Sequence, residues 1–330
     1  MKNIAPLWIL VIMAGVYSHA QESSYRFSLG TQFGFLYGHI SELVYSVPDD
    51  TKNELLSELI WDVKPLYYFG LHFDLCRRDV MKDSGFFLSL FLKAGIPLES
   101  GKMENRDWMS VENAELTHFS AHTNKNNHLF LAEVSVGATL PVKNFFYVKP
   151  FLTGCWSYFS FTGKDGYGEY ARSKGGGAYY PISDNPNTES FYGQDVIQYN
   201  QNWIKISPGI SAGLNFLSGF AVDFSLKISM FTYCKARDDH LSVQISNGSN
   251  TTPRTYMDFT FGGLFLEPAF NFMFSIKNLD FVFNIAYRQI GNANGFSYIS
   301  IDNSDYYFSA AKAGAGLKML DSGFLVRMRF

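Results

Sequence analysis

The stretch YRFSLGTQFGFLYG, residues 25–38, sets Phe27, Leu29, Thr31, Phe33, Phe35 and Tyr37 at odd positions and Ser28, Gly30, Gln32, Gly34, Leu36 and Gly38 at even ones. Residues two apart on a strand share a face, so one face is apolar and aromatic and the other small or polar. The pattern repeats at 59–75 (Leu59, Trp61, Val63, Tyr67, Phe69, Leu71) and 86–98, then near 127–141, 145–162, 198–216, 219–236, 253–276, 279–291 and 305–320. That makes about ten strands, an even number suited to a closed antiparallel barrel. Strands of soluble sandwiches are mostly about five or six residues, roughly half the length of these runs. A tilted strand crosses a bilayer in about 9 to 11 residues, so the barrel is expected to project into water as well. The fold class is all-β: a transmembrane antiparallel β-barrel with long extracellular loops.

Composition agrees. Of 330 residues, 17% are aromatic and 17% charged, a mixture that suits alternating strands. Beyond residue 20, Lys93, Lys149, Asp223 and Lys227 interrupt the most apolar runs, which excludes helical membrane spans. A net charge of −3 gives no electrostatic footprint for nucleic acid. Cys76, Cys155 and Cys234 are odd in number and widely spaced, so they form neither a disulfide framework nor a zinc motif, and a single disulfide stays open.

The first twenty residues, MKNIAPLWILVIMAGVYSHA, have a positive start, a short apolar run and a small-x-small ending. They read as a secretory signal peptide (1–20), with 21–330 as the barrel. Connections at 142–144, 217–218 and 277–278 are tight; those at 39–56, 100–126, 163–197, 237–252 and 292–304 are long. In outer-membrane barrels the long set faces outward. The chain ends GFLVRMRF (323–330), alternating Val326, Met328 and Phe330 with arginines, either as the end of the last strand or as an extension of it.

Carrying the alternation upward identifies the side chains that line the barrel mouth. In the first strand the even phase leads to Glu42. In the third, the odd phase runs through Ser89, Lys93 and Glu99 to Met103, Asn105 and Asp107. In the second, Glu58, Asp62 and Lys64 are expected inside, bracing the barrel in a network with Lys93 and Glu99. The seventh strand carries Phe220, Val222, Phe224, Leu226, Ile228 and Met230 outward, yet Phe231 and Tyr233 follow in the opposite phase. A bulge at 230–231 resolves the conflict and turns Thr232, Cys234, Ala236, Asp238 and His240 inward, leaving Lys235 and Arg237 outside. Asp239 is expected to be exposed, and Asn247 and Asn250 read as a polar loop tip rather than glycosylation sites.

Four local segments resemble the omptins, outer-membrane aspartyl endopeptidases built as narrow ten-stranded barrels with the active site in the extracellular mouth. They are YGHISELVY (37–45) with Glu42, GKMENRDWM (101–109) with Asn105 and Asp107, THFSAH (117–122), and the Asp-x-His of Asp238 and His240. The resemblance implies that Asn105, Asp107, Asp238 and His240 are the catalytic groups. It also implies that Glu42, Met103, Ile197 and Tyr199 bind substrate. Its chemistry is a water held between His240, oriented by Asp238, and the Asp107 side of the mouth. No metal, cofactor or serine nucleophile is required, and Ser120 is read as structural. A divalent ion on Asp107, Asp238 and His240 is the alternative use of the same groups, without a dedicated spacing motif.

Three positions depart from the family. Asn105 stands where the first aspartate of the couple is expected, and an amide cannot accept a proton as a carboxylate can. Ala236 stands where a second acid would accompany Glu42 in recognising a basic residue before the cut, which weakens selectivity. The basic residues of the family's lipopolysaccharide contact are absent around Tyr158 and Asn202, which argues against dependence on that lipid. The implied partners are polypeptides and outer-membrane lipid, without nucleic acid, and a monomer is expected. The implied location is the bacterial outer membrane, active site outward. Two other readings stay open: an impaired omptin-like barrel acting as an adhesin or binding surface, and a diffusion porin.

Overall fold

The computed structural model describes residues 25–46, 55–77, 85–111, 115–143, 145–217 and 219–330. The signal peptide expected at 1–20 lies outside them. Every regular element among the described residues is a strand: β1 (Tyr25–Tyr45), β2 (Leu55–Arg77), β3 (Gly85–Gly95), β4 (Glu99–Asp107), β5 (His118–Lys143), β6 (Phe146–Tyr170), β7 (Ser173–Gly175), β8 (Ala178–Tyr179), β9 (Asn187–Ser190), β10 (Asp195–Leu217), β11 (Phe220–Ser229), β12 (Phe231–His240), β13 (Arg254–Phe261), β14 (Phe265–Ile276), β15 (Leu279–Ile301) and β16 (Tyr307–Arg329). β3 runs on into β4, β11 into β12 and β13 into β14, so the wall consists of ten staves. Each is antiparallel to its neighbours, and β16 pairs with β1 to close the ring.

The described chain is thus the expected transmembrane barrel, with longer strands than expected. β1, β2, β10, β15 and β16 each span 21–23 residues and β5 and β6 reach 26 and 25, so much of what alternation assigned to outer loops is wall. The tail is the end of the last strand: the Phe330 amide donates to Phe27 O at 2.8 Å and the two rings stack.

The lower half of the ring shows its apolar face outward, through side chains such as Phe33, Phe69, Val136, Ile210, Phe272 and Phe324. Inside it, Lys93 pairs with Asp321, Arg288 with Glu267 and Asp321, and Lys227 with Glu133 and Glu267, a chain of ion pairs joining six staves. Charges in such a place persist only when paired, because each alone would lose its hydration without return.

Above this network the interior turns apolar. Trp61 lies between Phe161 (centroids 5.8 Å) and Tyr199 (5.4 Å, planes within 9°), with Met103, Trp203 and Leu129 packed around them and fully buried. Each such side chain contributes roughly 1.5–3 kcal/mol by leaving water. A lumen filled in this way gives a diffusion pore no path; an open cavity of about 270 Å³ lies nearer the inner end, beside His72, Lys149 and Arg327.

Three sequence expectations are corrected here. Leu59, Trp61 and Val63 point inward, and Tyr67, Phe69 and Leu71 outward, so the second stave changes phase at Lys64–Pro65, opposite a register shift between Leu36 and Gly38. Glu58, Asp62 and Lys64 therefore lie on the outer wall, where Lys64 pairs with Asp62 at 2.6 Å and Glu58 lies 3.7 Å from Arg106. Glu99 also faces outward and meets Lys164 at 2.7 Å; Ser100 takes the interior position. The ladder slips between Glu99 and Lys102, where Gly101 has φ +79 and a Cβ would run into Asp62, and this slip returns Met103 to the inside. Asp239, expected to be exposed, is held on the wall by Arg237 and Thr255.

Candidate active site

The bulge expected in the seventh stave is present. Lys227 faces Gly209 but Phe231 faces Ile206, a one-residue slip across Met230 that the Ser229 hydroxyl braces by bonding Ile206 O and accepting from the Phe231 amide. The next stave breaks at the same level: Gly262 (φ +74) and Gly263 (φ +79) separate β13 from β14, and the Gly262 amide reaches Thr232 O at 3.0 Å. Beyond the slip Thr232, Cys234, Ala236 and Asp238 are buried inside, while Lys235 and Arg237 face out.

Asp238 Oδ2 meets His240 Nε2 at 2.7 Å. The carboxylate is 3% exposed and the imidazole 36%, so the acid is the buried member and the ring the accessible one. Tyr256 packs its ring edge to face against the imidazole, with centroids 5.5 Å apart. Ile197 and Tyr199 on β10 are the register partners of His240 and Asp238, so both lie beside the pair. Burial pulls the His240 pKa down, but the charge and hydrogen bond of Asp238 and the charge of Asp107 outweigh it, and the net shift is upward from 6.5.

Asp107 ends β4, four staves round the ring from β12. Its Oδ1 accepts from Ser57 at 2.6 Å and its Oδ2 from Asn105 Nδ2 at 3.3 Å; Ser57 also bonds Asn105 Oδ1 at 3.2 Å. Burial raises the Asp107 pKa above 3.8 against the opposing Ser57 bond, the charges of His118 and His240 and the Asn105 bond. The charge of His240 lowers the Asp107 pKa and that of Asp107 raises the His240 pKa. Thr117 fixes the strand end by bonding Asp107 O.

On β5, Ser120 and His122 are both buried, with His122 Nε2 3.0 Å from Ser120 Oγ and Nδ1 2.6 Å from Asp165 O. Burial lowers the His122 pKa. Glu42 is 2% exposed, as the phase of the first strand implied, and its Oε2 has no hydrogen-bond partner. Its pKa is raised well above 4.5 by burial and by the charges of Asp238 and Asp258.

Two residues were missed from the sequence. Asp258, 4% exposed, lies opposite Ala236 in the β12–β13 ladder; the alternation of YMDFTF (256–261) could have found it, since Met257, Phe259 and Phe261 take the other face. Gln201 spans the lumen, donating to Ser41 O at 3.0 Å and Tyr199 Oη at 2.7 Å while accepting from Trp203. No sequence signal marked it.

A ten-stave barrel with a filled shaft and an acid- and histidine-lined mouth is the architecture of an outer-membrane protease family. The model of that family, the Omptin family, matches residues 23–329, and the chain belongs to it. Its membrane is the bacterial outer membrane. Among solved structures it is similar to the outer membrane protease OmpT from Escherichia coli, with a TM-score of 0.74 and 17% identity over 92% of this chain and 97% of that one. Other barrels superpose far less well. The deltaS2S3 mutant of the monoaromatic hydrocarbon channel TodX gives a TM-score of 0.35 at 8% identity, covering 93% of this chain and 91% of its own. The translocator domain of the autotransporter NalP from Neisseria meningitidis gives 0.29 at 8%, covering 96% and 95%. No curated protein matches by sequence.

Proposed function

We propose that this chain is a surface endopeptidase that hydrolyses polypeptides beside basic residues, its active site facing the cell exterior. What supports the reading above all is the Asp238–His240 contact of 2.7 Å, with an accessible ring on which the charge of Asp107 also bears.

Asp238 engages Nε2, so Nδ1 is the remaining acceptor. A water held by Asp107 and the Asn105 amide gives its proton to His240 as its oxygen attacks the scissile carbonyl carbon. Asp238 stabilises the imidazolium that forms. When the tetrahedral centre collapses, the carbon–nitrogen bond breaks and His240 returns the proton to the leaving amine. Buried Glu42 suits a cationic side chain before the cut, because a desolvated carboxylate pairs strongly with Lys or Arg. Residues 1–20 act as the export signal, the barrel works as a monomer in outer-membrane lipid, and lipopolysaccharide is not required.

The test is digestion of a basic peptide library by lipid-reconstituted protein. Specific cuts that vanish with His240→Ala are expected. Ligand capture without any cut, or solute flux through the liposomes, would instead assign the barrel to binding or to transport.

A further inference from the structure

The acids of the mouth are more numerous than hydrolysis uses. Glu42 on β1 and Asp258 on β13 are 2% and 4% exposed, and the buried Asp238 lies beside them on β12. The charges acting on Glu42 are those of Asp238 and Asp258; the charge acting on Asp258 is that of Asp238, while Ser297, its register partner on β15, bonds it. Asp238 has the His240 imidazole on its Oδ2, and Arg254 on β13 acts on His240 and Tyr256; the other titratable groups facing the cluster are Tyr199 on β10, Cys234 on β12 and Tyr256 on β13, and the charges bearing on Glu42 and Asp258 are those of carboxylates. Glu42 Oε2 and Asp238 Oδ1 are fully enclosed and have no hydrogen-bond partner. Buried carboxylates without a countercharge are costly, and Glu42 and Asp258, on neither of which a cation bears, are complementary to a cation brought from outside.

The register identifies what Asp258 replaces. Ala236 and Asp258 are directly paired in the β12–β13 ladder and both point inward, a placement that sets their Cβ atoms about 4.5–5.5 Å apart. A carboxylate on Asp258 therefore reaches the space that one on residue 236 would occupy.

Resting on the endopeptidase reading, we propose that Asp258 is a specificity-determining residue that joins Glu42 in binding the basic side chain of the substrate, supplying from the adjacent stave the acid absent at Ala236. The site thus retains two acids, and its preference for Arg or Lys is strong rather than weakened.

The full chain in lipid is assayed on peptides that differ only in arginine or citrulline before the cut. Asp258→Asn is expected to reduce the arginine-to-citrulline ratio of kcat/KM at least tenfold. The double variant Ala236→Asp/Asp258→Asn, which moves the acid one stave across, is expected to restore it. An unchanged ratio in Asp258→Asn overturns the proposal, and so does a loss that the double variant does not restore, since that would mark damage to the wall. The same peptides are titrated calorimetrically against His240→Ala. If the wild type cuts nothing, the endopeptidase reading fails, yet tighter binding of the arginine peptide that disappears on adding Asp258→Asn still supports the site. Equal binding of the two peptides overturns it.

Discussion

Asn105 Nδ2 lies 3.3 Å from Asp107 Oδ2, and both side chains are tied to the hydroxyl of Ser57 on the neighbouring stave. The amide is thus a donor that favours the ionised form of a buried acid. Asn105→Asp would replace that donor with a second acid, so the couple would share one proton at low pH and ionise with a raised apparent pKa. The pH profile of kcat/KM should show its acid limb moved upward, with a gain of about tenfold or more at pH 8 from the added proton acceptor. An unchanged rate there would show that the amide holds the water as well as an acid does.

The upward shift of His240 sets the position of the main pH limb. A base must be neutral to accept a proton, so kcat/KM should rise with pH through a value above 6.5. Asp238→Asn removes the largest group favouring the imidazolium. The limb should move down and the rate at its plateau should fall by roughly 10²–10⁴. A limb that stays in place would dissociate Asp238 from the imidazole.

Asp258 links the mouth to stability. Burial, opposed by the Ser297 bond and aided by the charge of Asp238, pushes its pKa up to about 7 from 3.8. Between those values the native barrel holds a proton that the unfolded chain has released, so stability declines as pH rises through this window and levels off above it. Asp258→Asn should therefore unfold at a higher temperature than the wild type at pH 8 and at a similar one near pH 4. Thermal melts at both values check the sign, at roughly 2–4 °C for each kcal/mol.

Deleting Met230 tests the bulge. Without the extra residue, Phe231 takes the outward place after Ser229, the ladder from Gly209–Lys227 to Ile206–Phe231 runs unbroken, and Asp238 and His240 keep their inward phase. The barrel should insert and still cleave. Lost cleavage would mean that the slip itself, beyond the inward phase, sets the position of the Asp238–His240 pair.

In the shaft, Asp321 accepts from Lys93 and from Tyr68 at 2.7 Å, with Arg288 at 3.5 Å. Asp321→Asn leaves Lys93 buried without its countercharge, a change that typically costs about 3–5 kcal/mol. The unfolding temperature should fall accordingly, whereas the arginine-to-citrulline preference of the mouth should not.

The lower barrel was legible because lipid demands an apolar exterior, which makes the alternation of Phe33, Phe69 or Phe324 unambiguous. Above the bilayer both sides of the wall meet water or protein, and the sign of the pattern reverses: Leu59, Trp61 and Val63 are interior, and Glu58, Asp62 and Lys64 exterior. Glu99 was misplaced for a related reason, since a slip at Gly101 leaves little mark in composition. The seventh stave was read correctly because Phe231 and Tyr233 still reach the apolar belt and record the flip. Asp258 escaped notice because its counterpart was sought two residues along the chain, whereas the ladder supplies it from across a hydrogen-bonded pair.

The stacking of Trp61 between Phe161 and Tyr199 has an evolutionary corollary. It divides the molecule into two storeys that answer to different demands, the lower to insertion and the upper to whatever guest arrives. An acid can migrate from one stave to the next upstairs while the foundations stay as they were, so the appetite of such a barrel can be retuned without rebuilding it.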